Sequence, residues 1–189
     1  MSKMSPDTEI TGEIGPLADR LQIRGRGCKV HIGANARLDD LHISIFADGC
    51  RLVIGSQSRI RGQIYFTGRN GSVLIGDRVT SNGNIWMNLS EDDCTVQIGD
   101  GCLFANTRFR PSDGHGIFDL KSGERLNPPG SIVLENEVWV AEDVLLIKGA
   151  HIGAGSVIGA KSLVNSRIPA SSLAAGLPAR VIRSGICWR

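Results

Sequence analysis

Residues 134–164, broken every six, read LENEVW VAEDVL LIKGAH IGAGSV IGAKSL V. The first residue of each hexad is aliphatic: Leu134, Val140, Leu146, Ile152, Ile158 and Val164. The position four residues later is small or branched: Val138, Val144, Ala150, Ser156 and Ser162. Six is not a multiple of the 3.6-residue helical turn, so on an α-helix these side chains would be smeared around the axis. A short strand followed by a tight corner puts them on one inner surface, and the Gly that often follows the aliphatic residue permits the corner. Three such sides make one coil, as from Leu134 to Ile152, and equivalent residues of successive coils stack at the parallel-strand spacing of ~4.8 Å.

The same phrase recurs upstream with looser spacing. Ile-Gly occurs at Ile32, Ile54, Ile75 and Ile98, at intervals of 22, 21 and 23 residues. These intervals describe complete coils with a short bulge at one corner, a repeat architecture. Ile54, Ile60 and Phe66, with Ser58 and Ile64 as second inward positions, keep the hexad inside one of them. Cys28, Cys50 and Cys94 each precede one of these isoleucines by four residues, which makes them one repeated packing position rather than a redox or metal motif.

The fold class expected is therefore all-β, a parallel β-helix over 25–169. Residues 1–24 form an N-terminal cap or irregular lead-in, in which Pro16 to Leu21 suits a short helix, and 170–189 form a C-terminal tail. The stretch 111–131 breaks the repeat and is rich in Gly, Pro, Asp and Lys, so it reads as a loop thrown out from the wall. Composition agrees: 24 glycines and only 5% aromatic residues suit tight turns and small inward side chains. A net charge of +2 gives no electrostatic case for nucleic acid or a membrane surface as partner. No apolar run is long enough for a membrane span, and the N-terminus lacks signal-peptide order, so a cytoplasmic location is expected.

Val138-Trp139-Val140-Ala141 followed by Leu146 to Gly153, and Ile168-Pro169 through Ala175-Gly176-Leu177-Pro178-Ala179-Arg180-Val181-Ile182-Arg183, resemble the two signatures of the hexapeptide-repeat acyltransferases. Ser112 to Ile117, Arg125-Leu126-Asn127 and Trp188 are most similar to the subgroup that O-acetylates capsular or other surface polysaccharides, bacterial polysialic acid O-acetyltransferases among them. The resemblance implies a left-handed β-helix, a homotrimer, acetyl-CoA as co-substrate and a saccharide or polysaccharide acceptor. An N-acetyltransferase acting on an aminosugar or nucleotide sugar is the alternative within the same fold.

Acyl transfer to a hydroxyl needs a base and oxyanion donors. Of the four histidines, His31 and His151 flank repeat isoleucines at outward positions and His42 lies in an early coil, as surface residues do. His115 sits in the inserted loop between Gly114 and Gly116, where another chain or a substrate can approach closely. The loop and the family motif together make it the expected general base. Asp113, two residues earlier, either orients the imidazole or caps the turn; Asp119 and Glu124 are weaker candidates for the same duty. The resemblance assigns Trp139 to the acceptor or pantetheine channel, where it also acts in catalysis, and Ala141, Gly159 and Ala160 to the pantetheine slot. It assigns Lys161, Arg180 and Arg183 to the CoA phosphates, which Arg grips with a bidentate fork and Lys meets as a point charge. Asn84 and Trp86, in a stretch rich in Asn, are the acceptor-binding candidates. No metal is expected, because the histidine spacings do not reproduce the zinc site of the γ-class carbonic anhydrases that share such a prism.

Overall fold

In the computed structural model, residues 5, 7–17, 19–38 and 40–189 are described. Among them the chain winds into a three-faced prism whose sheets have eight, six and seven strands. One turn shows the order. Ser131–Leu134 lies on the first face, Trp139–Val140 on the second and Val144–Ile147 on the third, and His151–Ile152 returns to the first face directly beside Leu134.

Each coil stacks in register on the next, so the inward aliphatics form columns. On the first face the column runs Ile32, Ile54, Ile75, Ile98, Leu134, Ile152 and Ile168, none more than 3% exposed. On the second it runs Ser81, Phe104, Val140, Ile158 and Ala174. On the third, Ile64, Met87, Phe109, Leu146 and Val164 complete the interior. Burying each larger side chain contributes about 1.5 to 3 kcal/mol, so the narrow prism is held by a one-dimensional core in which every rung depends on its neighbours. The second inward positions Val138, Val144, Ala150, Ser156 and Ser162 are all buried. The two serines also cross-link rungs: Ser156 Oγ donates to Pro169 O and accepts from Ser172 N. Cys28 and Cys50 are fully buried and both thiols point at Ala47 O; burial pushes the Cys50 thiol up to about 11, which keeps it an inert space-filler.

The solenoid extends past both boundaries drawn from the repeat. Glu9–Gly12 already pairs with Lys29–Ile32 and Leu21–Ile23 with Leu41–Ile45, so much of 1–24 is a first rung. The short helix expected at Pro16 to Leu21 is a single 3-10 turn, Gly15–Leu17, and no α-helix occurs among the described residues; of that lead-in, residues 1–4, 6 and 18 lie outside them. At the other end, Ser172–Gly176 continues the second face and Ala179–Ser184 folds back antiparallel upon it, closing the end of the sheet instead of trailing as a tail. The first face's last residue Ile168 leads straight into this closure.

Between Arg110 and Ser131 the chain leaves the prism at the corner joining the third face to the first. The excursion is a small hairpin: Leu126 N donates to Ile117 O, Asp119 N to Glu124 O, and Phe118 bridges Arg125. Its tip exposes Ile117, Phe118, Leu120 and Leu126, with Leu120 wholly in solvent in the single chain.

Candidate active site

The root of the inserted loop is organised by one buried amide. Asn127 Oδ1 accepts from Ile117 N at 2.5 Å, while its Nδ2 donates to the His115 carbonyl at 2.9 Å and to Asp113 Oδ2 at 2.7 Å. Lys148, projecting from the next rung, donates from Nζ to Asp113 Oδ2 at 2.7 Å and to Pro128 O at 3.1 Å. From the preceding rung, Glu91 accepts from Gly114 N at 3.1 Å and is paired with Arg125, and Ser90 Oγ shares a hydrogen bond with Ser112 Oγ. The backbone on both sides of His115 is thus pinned to the prism above and below. The imidazole itself is exposed and makes no hydrogen bond among the described residues. A fixed backbone with a free ring suits a base that meets its partner only when substrate arrives.

No hydrogen bond joins Asp113 to that ring among the described residues. Its carboxylate is taken up by Lys148 and Asn127, and these two, Lys148 first, hold it below the usual carboxylate range. The sign follows: the folded chain favours the ionised form, so the clamp is intact above that range and is lost as pH falls through it. Asp119 is likewise spent on its own turn, accepting from Lys121 N, Ser122 N and Ser122 Oγ. Glu124 contributes its backbone to the hairpin.

Trp139 stands on the second face, 38% exposed. Its ring packs against Trp188, with centroids 6.1 Å apart, and Trp188 Nε1 donates to Glu137 O at 2.7 Å, so the end of the chain reaches back to wall this position. The corner from which the loop departs is the edge opposite the second face. One chain therefore does not bring His115 and Trp139 together.

The small residues line up at the next corner. Ala141, Gly159 and Ala175 occupy one column, marked by Ala141 N donating to Ile158 O and Gly159 N to Ala174 O. A Cβ on Gly159 would come within 2.8 Å of the Ala175 Cβ, so this edge is as narrow as the backbone allows. Ala160 and Lys161 follow at the exposed turn, with Lys161 in a left-handed conformation (φ 57°) and its amide bonded to Glu142 O. Arg180 is paired in register with Ala175, at the end of the same column, and Arg183 with Leu173, nearer the Trp139 side of the face. Both arginines are exposed. All seven of the residues assigned by resemblance to CoA (Trp139, Ala141, Gly159, Ala160, Lys161, Arg180 and Arg183) thus share one face and its edge.

Asn84 and Trp86 lie elsewhere, at the start of the third face. They line an open groove of about 760 Å³ with Asn106, Arg108 and Asp143. Asn106 Oδ1 accepts from Asn84 N at 3.0 Å, fixing the backbone and leaving the Asn84 side chain available. The Arg110 guanidinium sits 5.5 Å above the Trp86 ring.

Sequence reasoning missed Glu91 and Lys148, and took Asn127 only as part of a motif. Their partners lie far away in sequence, on adjacent rungs, and only the stacking brings them to the loop. Asn127→Ala would leave Ile117 N and the Asp113 carboxylate short of partners, at a cost of about 1 to 3 kcal/mol. We expect turnover to fall about tenfold and the Ile117 amide to exchange faster, with the thermal unfolding of the prism unchanged; kinetics, hydrogen exchange and circular dichroism check this. Unaltered exchange at Ile117 would remove Asn127 from the role of loop organiser.

The chain is 34% identical over 136 residues to a polysialic acid O-acetyltransferase of Escherichia coli O1:K1, a match covering 71% of this chain and 43% of the relative. It is 36% identical over 132 residues to the galactoside O-acetyltransferase of Escherichia coli K12, covering 69% and 62%. The chain thus spans roughly half the length of these curated relatives. A crystal structure of a polysialic acid specific acetyltransferase superposes with a TM-score of 0.83 at 31% identity, covering 96% of this chain and 78% of the other. No family model matches the chain. Fold, repeat and similarity together define a left-handed parallel β-helix of hexapeptide repeats. The chain belongs to the hexapeptide-repeat acetyltransferases.

Proposed function

We propose that this protein is an acetyl-CoA-dependent O-acetyltransferase that acts in the cytoplasm as a homotrimer and acetylates a hydroxyl of a sugar in a capsular or other surface polysaccharide. The observation that carries the reading is His115: a free imidazole on a loop whose backbone is pinned from two rungs. Its ring nitrogen removes the proton of the acceptor hydroxyl as that oxygen attacks the thioester carbonyl. The carbon–oxygen bond forms, the tetrahedral oxyanion collapses with cleavage of the carbon–sulfur bond, and the imidazolium returns its proton to the departing thiolate. Backbone N–H groups on the prism wall are the oxyanion donors in this reading.

The edge formed by Ala141, Gly159 and Ala160 supplies a slot for pantetheine, with Lys161, Arg180 and Arg183 at its end for the phosphates, and Asn84 and Trp86 hold the acceptor. The names of the relatives, polysialic acid and galactoside O-acetyltransferases, support a saccharide acceptor. The apolar tip of the loop and the separation of His115 from Trp139 within one chain support a site built between neighbouring subunits. Incubation with acetyl-CoA and a panel of hydroxyl-only and amine-bearing saccharides, read by mass spectrometry, tests the reading: a gain of one acetyl on hydroxyl-only acceptors is expected, and transfer confined to amines would replace it with N-acetylation.

Arg180→Ala should raise the KM for acetyl-CoA while leaving that for the acceptor near the wild-type value. Losing a charge-assisted phosphate contact costs about 1.5 to 3 kcal/mol, or roughly ten- to a hundredfold. Equal changes in both KM values would take Arg180 out of the phosphate site.

A further inference from the structure

The strands Leu41–Ile45, Gly62–Phe66, Ile85–Leu89 and Thr107–Arg110 of the third face turn two rows of polar side chains outward. One row is His42, Gln63, Trp86 and Arg108, each in register with the next. The other is Ser44, Tyr65 and Asn88, with Arg110 following on the last strand. Among the described residues none of these side chains has a hydrogen bond or ion pair; Arg110 lies over the Trp86 ring and its charge also reaches Asp113. On the first face some outward side chains are paired, Lys29 with Glu9, His31 with Thr11 and His151 with Glu135, while Arg51, Ser72, Thr95 and Gln97 have no such partner among the described residues.

Grooves follow the unpaired rows. One of about 360 Å³ around His42, Gln63, Asn84 and Trp86 leads into the larger groove at Asn84 and Arg108. Another of about 270 Å³ continues past Gln63 and Tyr65 to Gln22. From the Gln22 strand to the Arg110 strand there are four steps of ~4.8 Å, about 19 Å in all, longer than a single pyranose ring.

We infer that this face is a glycan-docking track that holds several consecutive units of a linear saccharide beyond the unit being acetylated; this rests on the saccharide acceptor proposed above. A saccharide chain presents hydroxyls at regular intervals, each of which can donate and accept. Amide, imidazole, phenol and guanidinium groups answer both needs. The Tyr65 and Trp86 rings offer apolar faces for the C–H side of a sugar. Side chains already solvated and unpaired exchange water for sugar hydroxyls at little net cost, so affinity accumulates over linked units in place of residing in one strong contact.

The test is equilibrium binding by calorimetry, using a short and a long member of an oligosialic acid series and of a maltooligosaccharide series, on wild type, Gln63→Ala and Tyr65→Ala, with light scattering of each. The long member of at least one series should bind about tenfold more tightly than the short, and each variant should lose that gain while its particle mass and acetyl-CoA binding stay as in wild type. Equal affinity for short and long members in both series overturns the track, as does a length gain that survives in both variants. A changed particle mass in the variants also overturns it, by assigning the face to subunit packing. A length gain without acetyl transfer to any saccharide would sink the proposed activity and leave the track standing; transfer without a length gain would sink the track alone.

Discussion

Replacing His115 by alanine is expected to lower turnover by roughly a hundredfold or more, because general-base assistance typically contributes 10² to 10⁴. Particle mass and acetyl-CoA binding should stay close to wild type. The imidazole makes no contact on which the loop depends: the loop is held through the His115 carbonyl, the Gly114 amide and the Ile117 amide, all of which alanine retains. His31 and His151 are internal controls. Each lies on the first face with its ring engaged, His31 with Thr11 and His151 with Glu135, both at 2.8 Å. Gln at either position should change turnover little. A His115→Ala protein with most of the wild-type rate, or a silent enzyme on replacing either control, would rule out the mechanism while leaving the fold untouched.

The prism is legible in sequence because its core is one-dimensional. Every inward position must match those above and below, so Leu134 to Val164 prints its period directly. The early rungs are harder to see because their corners carry extra residues, and those corners have local solutions: Asn35, Gln57 and Arg78 take left-handed conformations where Gly would have announced a turn. The lead-in hides its strand for the same reason. Glu9–Gly12 is short and mostly exposed, and its pairing with Lys29–Ile32, not its own pattern, makes it part of the wall.

The candidate site divides in the same way. His115 stands out in sequence because two glycines and a break in the repeat isolate it, whereas the two readings of Asp113 differ only in which side chains reach it. Lys148, which donates to its carboxylate, lies 35 residues away. The separation of His115 from Trp139 required counting corners as well as residues. The period says that both lie outside the prism, but only the order of faces says that they lie on opposite sides of it.

That separation gives the second large effect. In a cyclic trimer with head-to-tail contacts, a site made from the loop of one subunit and the second face of its neighbour draws on two chains. Coexpression of His115→Ala with the double variant Trp139→Ala/Arg180→Ala should therefore restore activity that neither protein has alone. A site is intact when its loop comes from the double variant and its second face from the His115→Ala chain. With equal amounts and random assembly, that combination arises in about a quarter of sites, since each of the two conditions is met half the time. Recovery to about a quarter of the wild-type rate, measured on purified mixed trimers at low acetyl-CoA, would be many times the rate of either parent. If each site belonged to one chain, every site in the mixture would carry a defect and the rate would stay between those of the parents. The apolar side chains Ile117, Phe118, Leu120 and Leu126 at the loop tip are the surface expected to seat against the neighbour. Replacing Leu120 by Glu in the chain that supplies the intact loop should abolish the recovery, while the same change in the His115→Ala chain, whose loop serves no intact site, should leave it in place.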